Sequence, residues 1–232
     1  MINFSQRSLA KELLDADDVP FADIKQNMKE LNVVNARLGG HKITIEGIRK
    51  LLAKNKDKEI TICEIGTGGG DNLSAIAEWC LKNNIKAGFI GIDIKEECID
   101  FAKQQFPGLP VTWIVSDFKK VAFPQRPTII FSSLFCHHFA DDEIVSMLGW
   151  MHKNCSVGFF INDLQRHPVA YHLIKRLTRI FSQSYLVKND APVSVTRGFK
   201  KHEWNALFQR AGLANYSIGW RWAFRYLIIS YK

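Results

Sequence analysis

Residues 64–71 read EIGTGGGD, directly after the apolar run EITIC. Glycines at 66, 68 and 70 clear side chains from a turn between a strand-like run and a helix start, so backbone can approach a bound molecule closely. The spacing narrows what that molecule is. A dinucleotide loop, G-x-G-x-x-G, would need glycine where Asp71 stands. A G-x-x-x-x-G-K-[ST] loop lacks its Lys-Ser/Thr here. Asp71 at the helix start would also repel the pyrophosphate that a helix dipole attracts. Glu64 precedes the glycines, and Asp93 ends a second apolar run, GIDI, at roughly the 20-residue distance where such folds grip a ribose. Asp117 ends a third run in VSDF. Three acids around a glycine loop suit a nucleoside that carries a cation rather than phosphates.

Two further clusters carry chemistry. His137 and His138 follow the run PTIIFSSLF in SSLFCHHF, and Asp163, Arg166 and His167 fall in NDLQRHP. With an ordinary pKa near ~6.5, histidine can deprotonate a phenol or hydroxyl near neutrality. Pro168 suits a first helical turn, so the second cluster also reads as a helix cap.

These residues need an alternating scaffold to hold them. EITICEI (59–65), AGFIGIDI (87–94), VTWIVSD (111–117), PTIIFSSLF (127–135) and CSVGFFIND (155–163) read as strands. Helical runs begin at Asp71, at Lys95 and in DDEIVSMLGWMHKN. Strands spaced by helices imply parallel units in a doubly wound sheet, with ligands at the carboxyl ends of the strands. Near the C-terminus the order breaks: a helix closed by Gly212 precedes NYSIGW and FRYLIISY, whose short connection permits only antiparallel pairing. Residues 1–55 read as a wholly helical segment covering the cleft, with Ile24, Met28, Leu31 and Leu38 on one face and Gly39-Gly40 as its stop. Residues 56–232 are then the core, with a helical lid insertion at 164–197. Along 168–181, Val169, Leu173, Leu177 and Ile180 share one face, and His172, Lys175, Arg176 and Arg179 the other. That pattern fits a surface helix with a solvated basic face, or a lid that also touches a membrane or an amphiphilic substrate.

Composition sets outer bounds. A chain of 232 residues, 47% hydrophobic and 12% aromatic, builds one sizeable core without disordered tracts. No run approaches the ~18 apolar residues of a membrane span, and the start lacks the apolar centre of a secretory signal. Five cysteines without a CxxC pair argue for a reducing compartment, so a cytoplasmic location is expected. A net charge of +8 admits nucleic acid, anionic lipid or an acidic small molecule, and alone selects none of them.

Taken together, CEIGTGGGD, GIDI, SDF and SSLFCHHF resemble the class I S-adenosylmethionine-dependent methyltransferases over about residues 58–232. The resemblance implies a Rossmann-like seven-stranded sheet, mostly parallel with one antiparallel strand near the C-terminus, and helices on both faces. It implies S-adenosyl-L-methionine as cofactor and S-adenosyl-L-homocysteine as product. By similarity, Glu64 would orient the methionine end, Gly66, Gly68 and Gly70 would pass beneath the cofactor, and Asp93 would take both ribose hydroxyls. Ile94 would pack on adenine, while Asp117 and the Phe118 N–H would meet its edge. Ser132 would sit near the methionine. Arg37, in NARLGG, resembles a basic residue that meets the cofactor carboxylate, and equally reads as a dipole-favoured helix end.

The acceptor is narrowed by what is missing. The run N/D-P-P-Y/F of amino-methylating DNA enzymes is replaced by SSLF, and no Pro-Cys nucleophile for cytosine C5 occurs. Catechol-type metal-dependent enzymes place Asp where Ser132-Ser133 stand, so no metal is expected. The lid offers Tyr171, Leu173, Phe181, Tyr185 and Leu186, and with the stretch from NDLQRHP to VTRGFKKHEW it looks like a bacterial group associated with quinone or polyketide-phenol biosynthesis. The expected reaction is O-methylation of a phenolic or hydroxylated lipophilic metabolite in secondary metabolism, with His138 or His137 as base. Asp163, Arg166, His167 and Tyr171 are the expected substrate contacts. C-methylation of a quinone precursor and RNA methylation are the alternatives, nucleic acid being disfavoured because the basic residues lie on a lid and not on an appended module.

Overall fold

In the computed structural model, which describes residues 2–16, 18–53 and 59–232, the apolar run Glu59–Ile65 forms the central strand β1. Six more strands flank it: β2 (Lys86–Asp93), β3 (Val111–Val115), β4 (Ile129–Ser133), β5 (Gly158–Leu164), β6 (Tyr216–Arg221) and β7 (Arg225–Tyr231). Their order is β3-β2-β1-β4-β5-β7-β6. β1 pairs in parallel with β2 and β4, β2 with β3, and β4 with β5, whereas β7 runs antiparallel to both of its neighbours. This is the expected sheet, and its reversed strand is β7.

Alternation along each strand sends side chains to two separate cores. Ile62, Phe131, Phe160 and Leu227 point to one face, covered by α2 (Gly40–Leu52) and α3 (Asp71–Lys82). Cys63, Ile130, Phe159 and Ile228 point to the other, covered by α5 (Asp141–Asn154) and α8 (Lys201–Arg210). The remaining helices are α1 (Phe21–Arg37), α4 (Glu96–Gln105), α6 (Pro168–Phe181) and α7 (Tyr185–Arg197). The lid expected at 164–197 is therefore α6 and α7, and its first residue still belongs to β5.

The N-terminal segment departs from the wholly helical expectation. Residues 2–12 have no regular helix, a single 3-10 turn spans Leu13–Asp15, and α1 begins only at Phe21. Tertiary hydrogen bonds satisfy this strap in place of a helical ladder. Arg166 Nε and Nη2 donate to the carbonyls of Phe4 and Ser5, and the Ser8 N–H donates to the Thr196 carbonyl. Arg197 Nη1 donates to the Ala10 carbonyl at 2.8 Å, and the Leu13 and Leu14 N–H groups donate to the Asp190 carboxylate. Gly39-Gly40 does stop a helix, since α1 ends at Arg37, but a second helix follows directly. Gly39, at φ +79°, turns the chain and caps the start of α2. The expected boundary at 55/56 lies outside the described residues.

Two contacts fix α2, which carries this turn. Gly47 rests against the Phe160 ring so closely that an added Cβ would lie 2.6 Å from it. Arg221 forks both Glu46 oxygens, and Lys50 reaches the same carboxylate at 2.9 Å. Gly47→Ala is expected to cost about 1–3 kcal/mol by overpacking, read as a fall in Tm of roughly 2–4 °C per kcal/mol. The Arg221 hydrogen bonds outweigh burial and hold the Glu46 carboxyl down to about 2. A depressed carboxylate stabilises above its unfolded pKa, so this tie is complete above pH 4.5 and fades as pH falls towards 2. Screening at a part-exposed pair keeps its worth below about 1 kcal/mol. Glu46→Gln should lower Tm by that small amount at pH 7 and by nothing near pH 2 in thermal melts.

Candidate active site

The carboxyl ends of β1, β2, β4 and β5 open into one cavity of about 590 Å³, roofed by α1, α6 and α7. Its donor side is the glycine turn. Gly66, at φ +68°, could carry no side chain, because a Cβ would fall 2.2 Å from the Phe135 ring. Gly66, Gly68, Asp93 and Ile94 all line the cavity, and Ile94 is 69% exposed there. Asp93 accepts from the N–H groups of Gly68 (2.8 Å) and Lys95 (3.0 Å), which fixes its carboxylate beside the turn. Burial nevertheless raises its pKa.

Other expected cofactor residues act at one remove. Glu64 is buried beneath the turn, where Thr67 Oγ1 and Asn72 Nδ2 donate to it at 3.1 and 2.9 Å. Burial, then the nearby Asp71, push its carboxyl well up. Glu64 shapes the loop, while Thr67 and Asn72 reach the cavity. Gly70, at φ +78°, packs towards Trp113 and caps α3. Asp117 turns its carboxylate back to accept from the Lys119 N–H, and Phe118 sinks into the core against Trp150. Neither lines the cavity, because local capping and apolar packing claim them. Ser132 is buried beside Cys136, and alternation puts its neighbour Ser133 on the cavity wall instead.

Arg37 is corrected outright: it is exposed on the last turn of α1. The buried cation at the cavity is Arg225, which opens β7 opposite the end of β5. Its Nη2 donates to Asn35 Oδ1 at 3.0 Å, while Nη1 has no partner among the described residues. Burial lowers the Arg225 pKa to about 10, so the group stays charged. An unpartnered guanidinium nitrogen here fits a ligand carboxylate, as Asp93 fits vicinal hydroxyls. S-adenosylmethionine carries both, together with a sulfonium methyl, so the residues present fit this cofactor.

The acceptor side is built from the two histidines and two acids that the sequence reading had not singled out. His137 Nδ1 lies 2.7 Å from Asp163 Oδ1, and His138 Nδ1 lies 2.9 Å from Asp15 Oδ1. The Nε2 atoms of both rings face Glu12, at 3.6 Å from Oε1 and 3.9 Å from Oε2. Ser194 Oγ donates to Glu12 Oε1, and Arg197 Nη1 to Asp15 Oδ2. Burial raises the Glu12 carboxyl. Burial pushes Asp15 and Asp163 the same way, but their histidine partners outweigh it and hold both low. Glu12, Asp15, His137 and His138 all line the cavity, whose remaining walls are largely apolar, including Met28, Leu31, Phe135, Leu173, Leu177 and Trp222.

The expected substrate contacts are mostly structural. Asp163 is fully buried behind His137. Arg166 binds both Glu203 oxygens and the strap carbonyls, leaving nothing for a ligand. His167 caps α6 by accepting from the Val169 N–H, and Tyr171 packs edge-on against Phe4 away from the cavity. Glu12 and Asp15 escaped notice because their only signal was acid density in KELLDADD, which helix surfaces share.

Residues 62–158 match the model of a family described as a methyltransferase domain. No match is found among curated proteins. Among solved structures, the plantazolicin methyltransferase BpumL with a monoazolic desmethyl analogue and SAH superposes with a TM-score of 0.65, at 16% identity over 89% of this chain and 90% of that one. Human N-acetylserotonin methyltransferase with SAM gives 0.65 at 18% identity, covering 92% and 56%. Magnesium protoporphyrin IX methyltransferase from Synechocystis with SAH gives 0.57 at 14%, covering 84% of each chain. At these identities the likeness is one of fold.

Asp93→Ala removes a charge-assisted acceptor of hydroxyls and should weaken S-adenosylmethionine binding roughly 10- to 100-fold in calorimetry. Arg37→Ala should leave that affinity unchanged. With a methyltransferase-domain match over residues 62–158, this strand order and a donor pocket that fits a sulfonium nucleoside, the chain carries a methyltransferase domain similar to those of the class I S-adenosylmethionine-dependent enzymes.

Proposed function

We propose that the enzyme methylates an oxygen of a small lipophilic acceptor, a phenol or other hydroxylated metabolite. The observation that carries this reading is the contrast inside the cavity: apolar walls around one polar spot, formed by Glu12, Asp15, His137 and His138. A hydroxylated acceptor can bury its body against Leu173, Leu177 and Met28 and point its hydroxyl at that spot. There the hydroxyl gives up its proton to an imidazole of the His137–His138 pair. Its oxygen then attacks the sulfonium methyl in line, forming the C–O bond as the C–S bond breaks. S-adenosylhomocysteine leaves as a neutral thioether. Two solved structures of the same fold are named as methyltransferases of small molecules, N-acetylserotonin and magnesium protoporphyrin IX. Carbon methylation of a quinone precursor would use the same cavity. A place in cytoplasmic secondary metabolism is part of this proposal.

An RNA acceptor fits less well. Despite the basic surface, among the described residues the acids Glu12, Asp15, Asp71, Asp93 and Asp190 line the cavity against only Lys95 and Arg225 of the lysines and arginines. A polyanion would meet the wrong sign of charge inside. The exposed Val169, Leu173, Ile180 and Phe181 of α6, beside Arg176 and Arg179, support contact with a membrane from which such an acceptor could be drawn.

Replacing both His137 and His138 by Gln should lower kcat by roughly 100-fold or more, with S-adenosylmethionine still bound. Undiminished turnover would remove the pair from the mechanism. Turnover of a phenol panel should change little with salt, whereas a nucleic-acid acceptor would lose affinity steeply.

A further inference from the structure

We propose that Glu12, His137 and His138 form a binding site for one divalent first-row transition-metal ion, which holds the acceptor's oxygen. The inference rests on the hydroxyl-acceptor reading for its use, and on geometry alone for the site.

Three features point to a cation. The first is convergence: one donor atom from each residue falls within 4.8 Å of the other two. The Glu12 distances to the two rings, 3.6 and 3.9 Å, are too long for hydrogen bonds, yet the groups face one another across a buried gap. A metal about 2.1 Å from each donor would set neighbours roughly 3.0–3.4 Å apart, so the donors would draw together by up to about 1.5 Å around the ion. The second is the outer shell. Each imidazole has its Nδ1 against its own carboxylate, Asp163 for His137 and Asp15 for His138. This is the arrangement that fixes a metal-ligating histidine with Nε2 directed at the ion. The third is support for every part: Ser194 holds Glu12, and Arg197 holds both Asp15 and the His137 carbonyl. The two rings lie beside each other, with centroids 4.4 Å apart.

Two imidazoles and one carboxylate suit iron, cobalt, manganese or zinc, whereas magnesium and calcium prefer all-oxygen sites. The cluster lines the cavity, so coordination positions remain for the acceptor. Oxygen bound to such an ion ionises near neutral pH. The histidines would then be ligands, and the hydroxyl proton would pass to solvent before transfer. The oxygen's lone pair forms the new C–O bond, and the C–S pair stays on sulfur. No electron is gained or lost by the metal.

The test is titration of the chelator-stripped full chain with cobalt(II), followed by its visible d–d absorption, and competition by zinc(II). One equivalent should bind. Glu12→Gln and His138→Gln should each weaken binding at least tenfold, and Asp15→Asn by roughly 10- to 100-fold. His202→Gln, an exposed histidine on α8, should bind as the wild type does. Calorimetric affinity for S-adenosylmethionine, retained within threefold, shows that each variant folds. Failure to bind one equivalent at millimolar cobalt(II), or binding indifferent to Glu12→Gln, overturns the site. Metal-free enzyme that methylates a phenol at full rate overturns it too, while the methyl-transfer reading stands. A bound ion with no hydroxyl acceptor turned over leaves the site standing and removes that reading instead.

Discussion

Two buried arginines hold the acceptor side together. Arg166, 2% exposed, and Arg197, 5% exposed, sit at either end of the lid region and reach back to the first fifteen residues. Their guanidinium groups take the carbonyls of Phe4, Ser5 and Ala10, which a strap without helical hydrogen bonds would otherwise leave unsatisfied. Each charge is compensated, Arg166 by Glu203 and Arg197 by Asp15. Breaking such pairs leaves an uncompensated buried charge, so this clasp is not easily loosened. Everything on the acceptor side follows from it. Glu12 and Asp15 face the histidines only because the strap is pinned where it is.

The donor side depends on a different constraint. Backbone must come close at Gly66, and the carboxylates near it must be held without being neutralised by lysine or arginine. The chain meets this with amide donors to Asp93 and with Thr67 and Asn72 beneath Glu64. Asp71 is paired with His41 at 2.8 Å, and Arg225 waits behind Asn35. These groups come from β1, β2, α1, α2, α3 and β7, so the pocket exists only once the sheet and both N-terminal helices have docked. That explains why so much of the chain outside the matched domain, residues 62–158, takes part in the site.

What could be read from the sequence was what repeats locally. The five parallel strands announced themselves as short apolar runs, the first three with Glu64, Asp93 and Asp117 at or near their ends, and the reversed β7 by its short connection to β6. Side-chain direction was a harder matter. Ser132 and Ser133 differ by one position, and only pairing with β1 and β5 decides which of them faces the cavity. Arg37 and Arg225 are both cations near a helix or strand end, and local pattern cannot tell that one is solvated and the other buried. Arg166 and Tyr171 stood in a motif-rich stretch but were claimed by tertiary packing. The strap was misread for a physical reason: polar residues at helical spacing carry no record of a ladder of tertiary hydrogen bonds more than 150 residues away.

The charge inside the cavity links its two ends. Among the described residues five carboxylates line it, and Glu64 lies just beneath, yet its lysines and arginines are Lys95 and Arg225. Several of the acids are already committed: Asp190 to the amides of Leu13 and Leu14, Asp15 to Arg197, Asp93 to the turn. Their negative potential still fills a low-dielectric space, where it is weakly screened. A sulfonium and an ammonium are therefore welcome on the donor side. Once the methyl has moved, the sulfonium charge is gone and the product loses that attraction. The same field opposes an anionic acceptor, so the phenol proposed above would be ionised inside the cavity and not captured as an anion from water. Forming it there needs positive charge beside the oxygen, and Lys95, whose Nζ donates to the Leu14 carbonyl, is held against the strap. The open gap between Glu12 and the two imidazoles is where that charge fits.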